Sequence, residues 1–240
     1  MRRVVGLLLV MTVAVAVVGG ALAAKSPAKV RNAIIAAALA QKSVHWTGKY
    51  VANPGATTTY AADVNARSGM ERISVPGCYP GAPRGSVRLR LVHDTVYVKG
   101  NVCGLVYALK LSQTRAKTYV GQWISVPRRG KEHRRFHWLT GGMTLGSVVR
   151  EITQWPAYLK LHVSTQSSHG TRHLVLRGTC PAPQTGSWEL RARASRIPLP
   201  VAFSTGLPTS GSETHFSRWN KPVHVPVPAS STRIVTVRGG

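Results

Sequence analysis

The chain has 240 residues, with 32 Lys plus Arg against 7 Asp plus Glu and a formal net charge of +25 at pH 7. With 43% apolar and 16% charged residues it reads as globular and not disordered, and seven scattered acids give poor support to a carboxylate-pair hydrolase. Such a field favours polyanionic partners: nucleic acid, anionic lipid head groups or acidic wall polymers.

Residues 1–23 read as a secretory leader. Met1-Arg2-Arg3 is a basic start, Val4 to Val18 is apolar apart from Gly6 and Thr12, and Ala21-Leu22-Ala23 has the A-x-A form of a cleavage site. Cleavage after Ala23 leaves a mature domain of residues 24–240. That removes Arg2 and Arg3 and no acid, leaving a charge of +23. The alternative is an uncleaved membrane anchor, because the apolar run is almost long enough to span a bilayer. For an exported protein, lipid and wall are nearer partners than nucleic acid.

Ala28 to Lys42 has helical spacing, with Ser26 as a cap and Pro27 in its first turn. The period then changes to two. Strands are predicted over Val44–Val51, Thr57–Ala66 and Met70–Val75, followed by a hairpin of Ser86–Val92 and Thr95–Gly100 turning at His93-Asp94. Helices follow over Gly104–Leu109 and Ser112–Val120, then a strand over Gly121–Pro127 and a helix over Thr144–Trp155, stopped by Pro156. Strands close the order over Leu159–Val163, His173–Cys180, Ser187–Ala194, Pro198–Ser204 and Thr214–Trp219. Pro222 to Pro228 is Val-Pro repetitive and belongs on an edge or surface. Strand-rich runs with segregated helices predict an α+β domain on one large antiparallel sheet.

Three cysteines in an exported chain imply one disulfide and one thiol over. Cys78 and Cys103 flank the predicted hairpin and are the favoured pair. Cys180 stays free or enters an alternative bridge.

Four segments together carry a family resemblance. They are Asp94-Thr95-Val96-Tyr97-Val98-Lys99-Gly100-Asn101; Ala116 to Pro127, with Tyr119-Val120-Gly121-Gln122-Trp123-Ile124 at its centre; Ser195-Arg196-Ile197-Pro198-Leu199-Pro200; and Phe216-Ser217-Arg218-Trp219-Asn220-Lys221-Pro222-Val223. In order and spacing they resemble the actinobacterial LppX/LprG-type lipoproteins, which share the LolA-like fold. The resemblance implies a strongly curved antiparallel sheet with helices over its concave side. Between them would lie a cavity for the acyl chains of a lipid or lipoglycan, with no catalytic residues. The leader has Ala and Gly where the family's lipidated cysteine stands, so the lipid anchor is not carried over with the fold.

The apolar stripes of two helices are the candidate cavity wall: Ile34, Ala37 and Ala38 in the first, and Leu145, Val148, Val149 and Ile152 in the last. The alternative is that both stripes pack on the sheet and leave no space. Each methylene buried in such a cavity is worth ~0.8 kcal/mol. Arg128, Arg129, Lys131, Arg134 and Arg135 form the densest basic run and are candidates for an anionic membrane or wall surface; a solvated loop is the plain alternative, and nucleic acid is the least expected partner. The sequence has no G-x-S-x-G and no H-E-x-x-H. His133/His137 and His169/His173 are four apart, but one pair lies among cations and the other contains Gly170, so no metal and no cofactor is expected. Trp219 is read as a buried anchor for the end of the sheet. The function implied is a secreted, non-catalytic lipid carrier or chaperone of the cell envelope. The runner-up is a protein that docks on the envelope through its basic loop without a cavity.

Overall fold

A computed structural model describes residues 26–53, 56–128, 136–154, 159–180, 186–207 and 210–234. In chain order these residues form α1 (Pro27–Leu39), β1 (Ser43–Asn53), β2 (Ala56–Asn65), β3 (Gly69–Val75), β4 (Gly85–Val92) and β5 (Thr95–Gly100). Then come α2 (Val102–Leu109), α3 (Gln113–Thr118), β6 (Ile124–Pro127), a 3-10 turn (His137–Thr140) and α4 (Leu145–Glu151). The last are β7 (Lys160–Ser168), β8 (Thr171–Thr179), β9 (Ser187–Arg193), β10 (Pro200–Leu207), β11 (Ser210–Ser217) and β12 (Thr232–Arg233). They divide into two compact units, one holding α1 and β7 to β10, the other holding everything else.

In the smaller unit, Pro27 presets the first turn of α1. Ser26 does not cap the helix through its hydroxyl, as expected from sequence; its carbonyl accepts the Val30 N–H at 3.1 Å. Val30, Ile34 and Ala38 form a fully buried stripe on a helix that packs on β7 and β8. The four strands are antiparallel in the order β7-β8-β9-β10. One cross-strand row reads Val163, Leu176, Leu190, Phe203, which is its apolar face. The β7–β8 hairpin is longer than its apolar run predicts. His169 and Gly170 both have positive φ (47° and 73°), which matches the twist of a two-residue hairpin and lets Ser168 pair with Thr171.

The larger unit is an eight-stranded sheet in the order β12-β6-β5-β4-β3-β2-β1-β11. All its pairs are antiparallel except β12 with β6, which is parallel, so the sheet is mixed and not purely antiparallel as the sequence pattern suggested. The cause is the tail. After β11, residues 218–231 run over the surface, where the Val223 carbonyl accepts from Asn65 in β2 and the Pro226 carbonyl from Arg90 in β4. The Thr232 N–H then reaches the Trp123 carbonyl at 2.8 Å, and the strap ends beside β6.

Register places one row across seven strands: Phe216, Trp46, Ala62, Glu71, Leu89, Val98, Ile124. This is the inner face. Leu105, Ala108 and Leu109 of α2, Ala116 of α3, and Phe136, Leu139 and Met143 share the same core. The backbone of α2 lies directly on β4. A Cβ on Gly104 would sit 2.1 Å from the Ser86 carbonyl oxygen, and one on Gly85 would sit 2.9 Å from the Gly104 nitrogen. Asn101 locks this contact: its Oδ1 accepts from Gly104 and from Ser86, each at 2.9 Å, and its Nδ2 donates to the Arg84 carbonyl at 2.9 Å. Cys78 and Cys103 are disulfide-bonded beside it, and Cys180 is a free thiol.

Several element ends moved. Strand β6 starts at Ile124 because Gly121 takes φ 77° and turns the chain first. Helix α3 ends at Thr118, one residue before the Tyr119 N–H closes a tighter bond to Ala116. Ser112 caps α3, and Thr144 caps α4 through a reciprocal pair with Ser147. Trp219 is half-buried against the Phe216 ring, not fully buried. Its neighbour Asn220 does the anchoring. In a left-handed conformation (φ 63°), Asn220 accepts the Lys42 N–H at 2.7 Å, and its own N–H donates to the Ser43 carbonyl.

Candidate functional site

The inner face of the larger sheet carries a chain of aromatic rings. The Trp46 ring lies 6.2 Å from that of Tyr60. Alternation in β1 and β2 turns both inward, and Gly48 beside them leaves room for the indole, whose ring would lie 3.2 Å from an added Cβ. The Tyr60 and Tyr107 hydroxyls are 3.4 Å apart. Tyr107, from α2, meets Trp138 of the 3-10 turn edge-on at 5.5 Å. Lys110, at the end of α2, places its ammonium over both rings, 5.1 Å from Tyr107 and 5.4 Å from Trp138. Tyr60, Tyr107 and Trp138 are half-buried. Trp46 is deeper and donates its indole N–H to the Gly142 carbonyl at 3.1 Å. Burial, helped by the Tyr107 hydroxyl, pushes the Tyr60 phenol far above its ordinary range, so it stays a neutral hydrogen-bonding group.

Two carboxyls face this region. Glu71 is 5% exposed in the middle of the apolar row. No cation or hydrogen-bond donor reaches it among the described residues, and burial, with the nearby charge of Glu151, pushes its pKa up to about 8. Glu151, at the end of α4, keeps an exposed surface, and partial loss of water around its carboxyl still pushes its pKa upward. At neutral pH the pair therefore holds at least one proton, and Glu71 presents an uncharged acid to the inner face.

The candidate cavity residues separate between the two units. Ile34 and Ala38 are buried on α1 with Ala37 half-buried beside them, in the smaller unit. Leu145, Val148 and Val149 of α4, and Ile152 just after it, are buried in the larger one. Of the basic run, Arg128 lies within the described residues; Arg129, Lys131, Arg134 and Arg135 lie outside them, as does the leader. Arg128 lines an open cleft of about 1040 Å³ together with Lys42, Arg67, His93, Asp94 and His224. Its N–H donates to the Asp94 carbonyl at 2.7 Å. Sequence reasoning missed the aromatic chain. Its signal was present in Trp46-x-Gly48 and Tyr60 at inward parity, but the partners Tyr107 and Trp138 come from elements whose docking no local pattern fixes.

In the smaller unit, Glu189 lies between Arg177 (2.6 Å) and Arg191. Partial burial alone would raise its pKa; the two guanidiniums outweigh it and hold the carboxyl below its ordinary range. These three line a recess of about 360 Å³ with Trp188 and Ser204. No group of three His, Cys, Asp or Glu among the described residues is placed to hold a metal, and no described helix is long and apolar enough to cross a membrane.

No protein-family model matches the chain, and no curated protein does. Solved structures do. LprF from Mycobacterium bovis superposes with a TM-score of 0.50 at 15% identity, over 85% of this chain and 97% of that one. The chain has the fold of LprF. The Mycobacterium tuberculosis lipoprotein LppX aligns more loosely, with a TM-score of 0.46 at 16% identity over 81% of this chain and 95% of LppX. An uncharacterised conserved protein from Thermus thermophilus gives 0.39 at 12% identity, over 87% and 99%. At these identities the likeness to LprF is one of fold; the described residues form twelve strands and four α-helices, in agreement with the coarse α+β architecture that the four sequence motifs imply.

Proposed function

We propose that the protein is an extracytoplasmic, non-catalytic carrier that holds a lipid or lipoglycan by its acyl chains. The single observation that carries this reading is the aromatic chain Trp46–Tyr60–Tyr107–Trp138, three of whose members are half-buried beside a strongly apolar sheet face. Aromatic rings with polar tips suit a boundary where hydrocarbon on one side meets water on the other. Lys110 at the outer end supplies a cation for an anionic head group, and the neutral Glu71 and Tyr60 carry no charge that would repel it. The LprF fold and the LppX/LprG-type motifs support the same reading, with the leader over residues 1–23, the domain of residues 24–240 and helices over a concave sheet face; Ile34, Ala37 and Ala38 in the smaller unit and Leu145, Val148, Val149 and Ile152 in the larger are the proposed acyl-chain contacts, each within its own unit. Native mass spectrometry of protein purified from its own host tests it. Co-purifying lipid supports the carrier; a protein that carries none and takes up no apolar fluorescent probe refutes it.

A second reading has its own observation. The cleft holding Arg128, Lys42 and Arg67 offers a basic docking site for anionic lipid or wall polymer. Neutralising Arg128, Arg129, Arg134 and Arg135 separates the two. Lost surface binding with unchanged lipid content supports docking, and lost lipid with unchanged surface binding supports the carrier.

A further inference from the structure

The outer face of the larger sheet concentrates cations against each other. Register sets Arg72 of β3 directly opposite Arg88 of β4, and Arg88 opposite Lys99 of β5. Strands lie ~4.8 Å apart, so three like charges stand in a row about 10 Å long. Like charges directly opposite destabilise a sheet. Arg90 adds a fourth cation in the next row, held 4.6 Å over the Trp123 ring with one N–H on the Pro226 carbonyl. Lys99 approaches the same ring at 6.0 Å.

The acid beside them does not compensate this cluster. Asp63 is already shared between His45 at 2.9 Å and Arg218 at 3.3 Å. Arg72 and Arg88 are exposed and make no ion pair among the described residues. Arg72, Arg88, Arg90 and Trp123 border a recess of about 280 Å³, which the His45, Asp63 and Arg218 group also lines. Glu71, although its backbone borders the recess, turns its carboxyl to the opposite face by strand alternation.

We infer that this recess is a binding site for a phosphoryl group, of the monoester or diphosphate class. Guanidiniums match phosphate oxygens in a bidentate fork, and Arg90 is pre-oriented by its ring contact. A single carboxylate would leave most of the row uncompensated, whereas a multiply charged phosphoryl ligand spans it. The site lies on the face opposite the aromatic chain, so it stands independently of the carrier reading. The phosphoryl group belongs either to a free solute or to a lipid head group, and the test separates them.

Two measurements on the whole protein in phosphate-free buffer decide it: calorimetric titration with inorganic pyrophosphate, and co-flotation with phosphatidylcholine vesicles with and without phosphatidic acid. The variant R72Q/R88Q is compared with R115Q/K117Q on α3, which removes the same charge elsewhere. Loss of charge-assisted contacts weakens binding by at least about tenfold in R72Q/R88Q, while R115Q/K117Q binds as the parent does. R72Q/R88Q melts no lower than the parent, because a repulsion has been removed; R88Q alone is the second variant, and it weakens binding in the same direction. Pyrophosphate binding lost in R72Q/R88Q identifies a free phosphoryl ligand. Binding to phosphatidic acid vesicles alone, lost in the same variant, identifies a head group. Absence of both, or equal losses in the two double variants, overturns the inference and leaves only the field of the net charge.

Discussion

Replacing Glu71 by Gln alters how stability depends on pH. The folded carboxyl has a pKa of about 8 against an ordinary value of 4.5, because burial strips water from the ionised form and Glu151 adds a like charge. The sign follows from proton counting. Below pH 4.5 the group is protonated in both folded and unfolded chains and contributes no pH dependence. Between 4.5 and about 8 the folded chain keeps the proton and the unfolded chain releases it, so stability falls as pH rises. A full pH unit inside that window is worth about 1.4 kcal/mol and the units at its two ends less, so the parent loses about 3.5 kcal/mol between pH 5 and pH 8 through this group. Gln cannot ionise and has nearly the same shape. Urea denaturation of parent and E71Q at pH 5, 6, 7 and 8 then gives two curves that diverge by that amount, with E71Q the more stable at pH 8. Glu151 titrates in both proteins and largely cancels in the difference. Two parallel curves would refute the reasoning, since they would mean that Glu71 is solvated or paired in the folded protein.

Gly104→Ala puts a Cβ 2.1 Å from a backbone oxygen that cannot yield, so α2 must lift from β4; a loss of about 1–3 kcal/mol is expected in the same denaturation assay. Gly146→Ala, in α4 with open space around it, gains about 0.5–1 kcal/mol by helix propensity and serves as the contrast. Asn101→Ala removes the α2 cap and the bonds to Ser86 and Arg84, costing about 1–3 kcal/mol and lowering the melting temperature. Replacing Cys78 and Cys103 by Ser opens a loop of sequence separation 25 and costs roughly 3 kcal/mol by chain entropy; a reductant should lower the parent's midpoint by a similar amount and leave the Ser variant unmoved.

Most strands of the larger unit were legible because each exposes one face and buries the other. Val87, Leu89 and Leu91 alternate with Ser86, Arg88 and Arg90, and the burial pattern of β4 repeats that alternation. The same parity in β3 sets Glu71 on the side of Ile73 and Val75, so a buried acid could be read from three alternate positions. The resemblance motifs also have local causes: Gly100 and Asn101 where α2 meets β4, Gly121 at a left-handed turn, and Asn220 at the end of β11. What local pattern does not encode is partnership. Nothing near Trp46 announces Gly142 as its hydrogen-bond partner, and nothing in the Val-Pro tail announces a parallel strand beside β6. The division into two units was hidden for the same reason, since most of the other unit lies between α1 and β7 along the chain.

The tail has a mechanical consequence. The tail leaves the end of β11 and rejoins the sheet at β12, beyond β6 and seven strand places away across its width. Seven strand spacings of ~4.8 Å make that width about 34 Å. Residues 218–231 extended as polyproline reach about 43 Å at ~3.1 Å each, so little slack is left. The segment is therefore a strap of limited length: it ties β11 to β12, two strands that share no ladder, and limits how far they can move apart. Cutting it would leave every ladder from β11 to β6 intact and remove only the tie that crosses them.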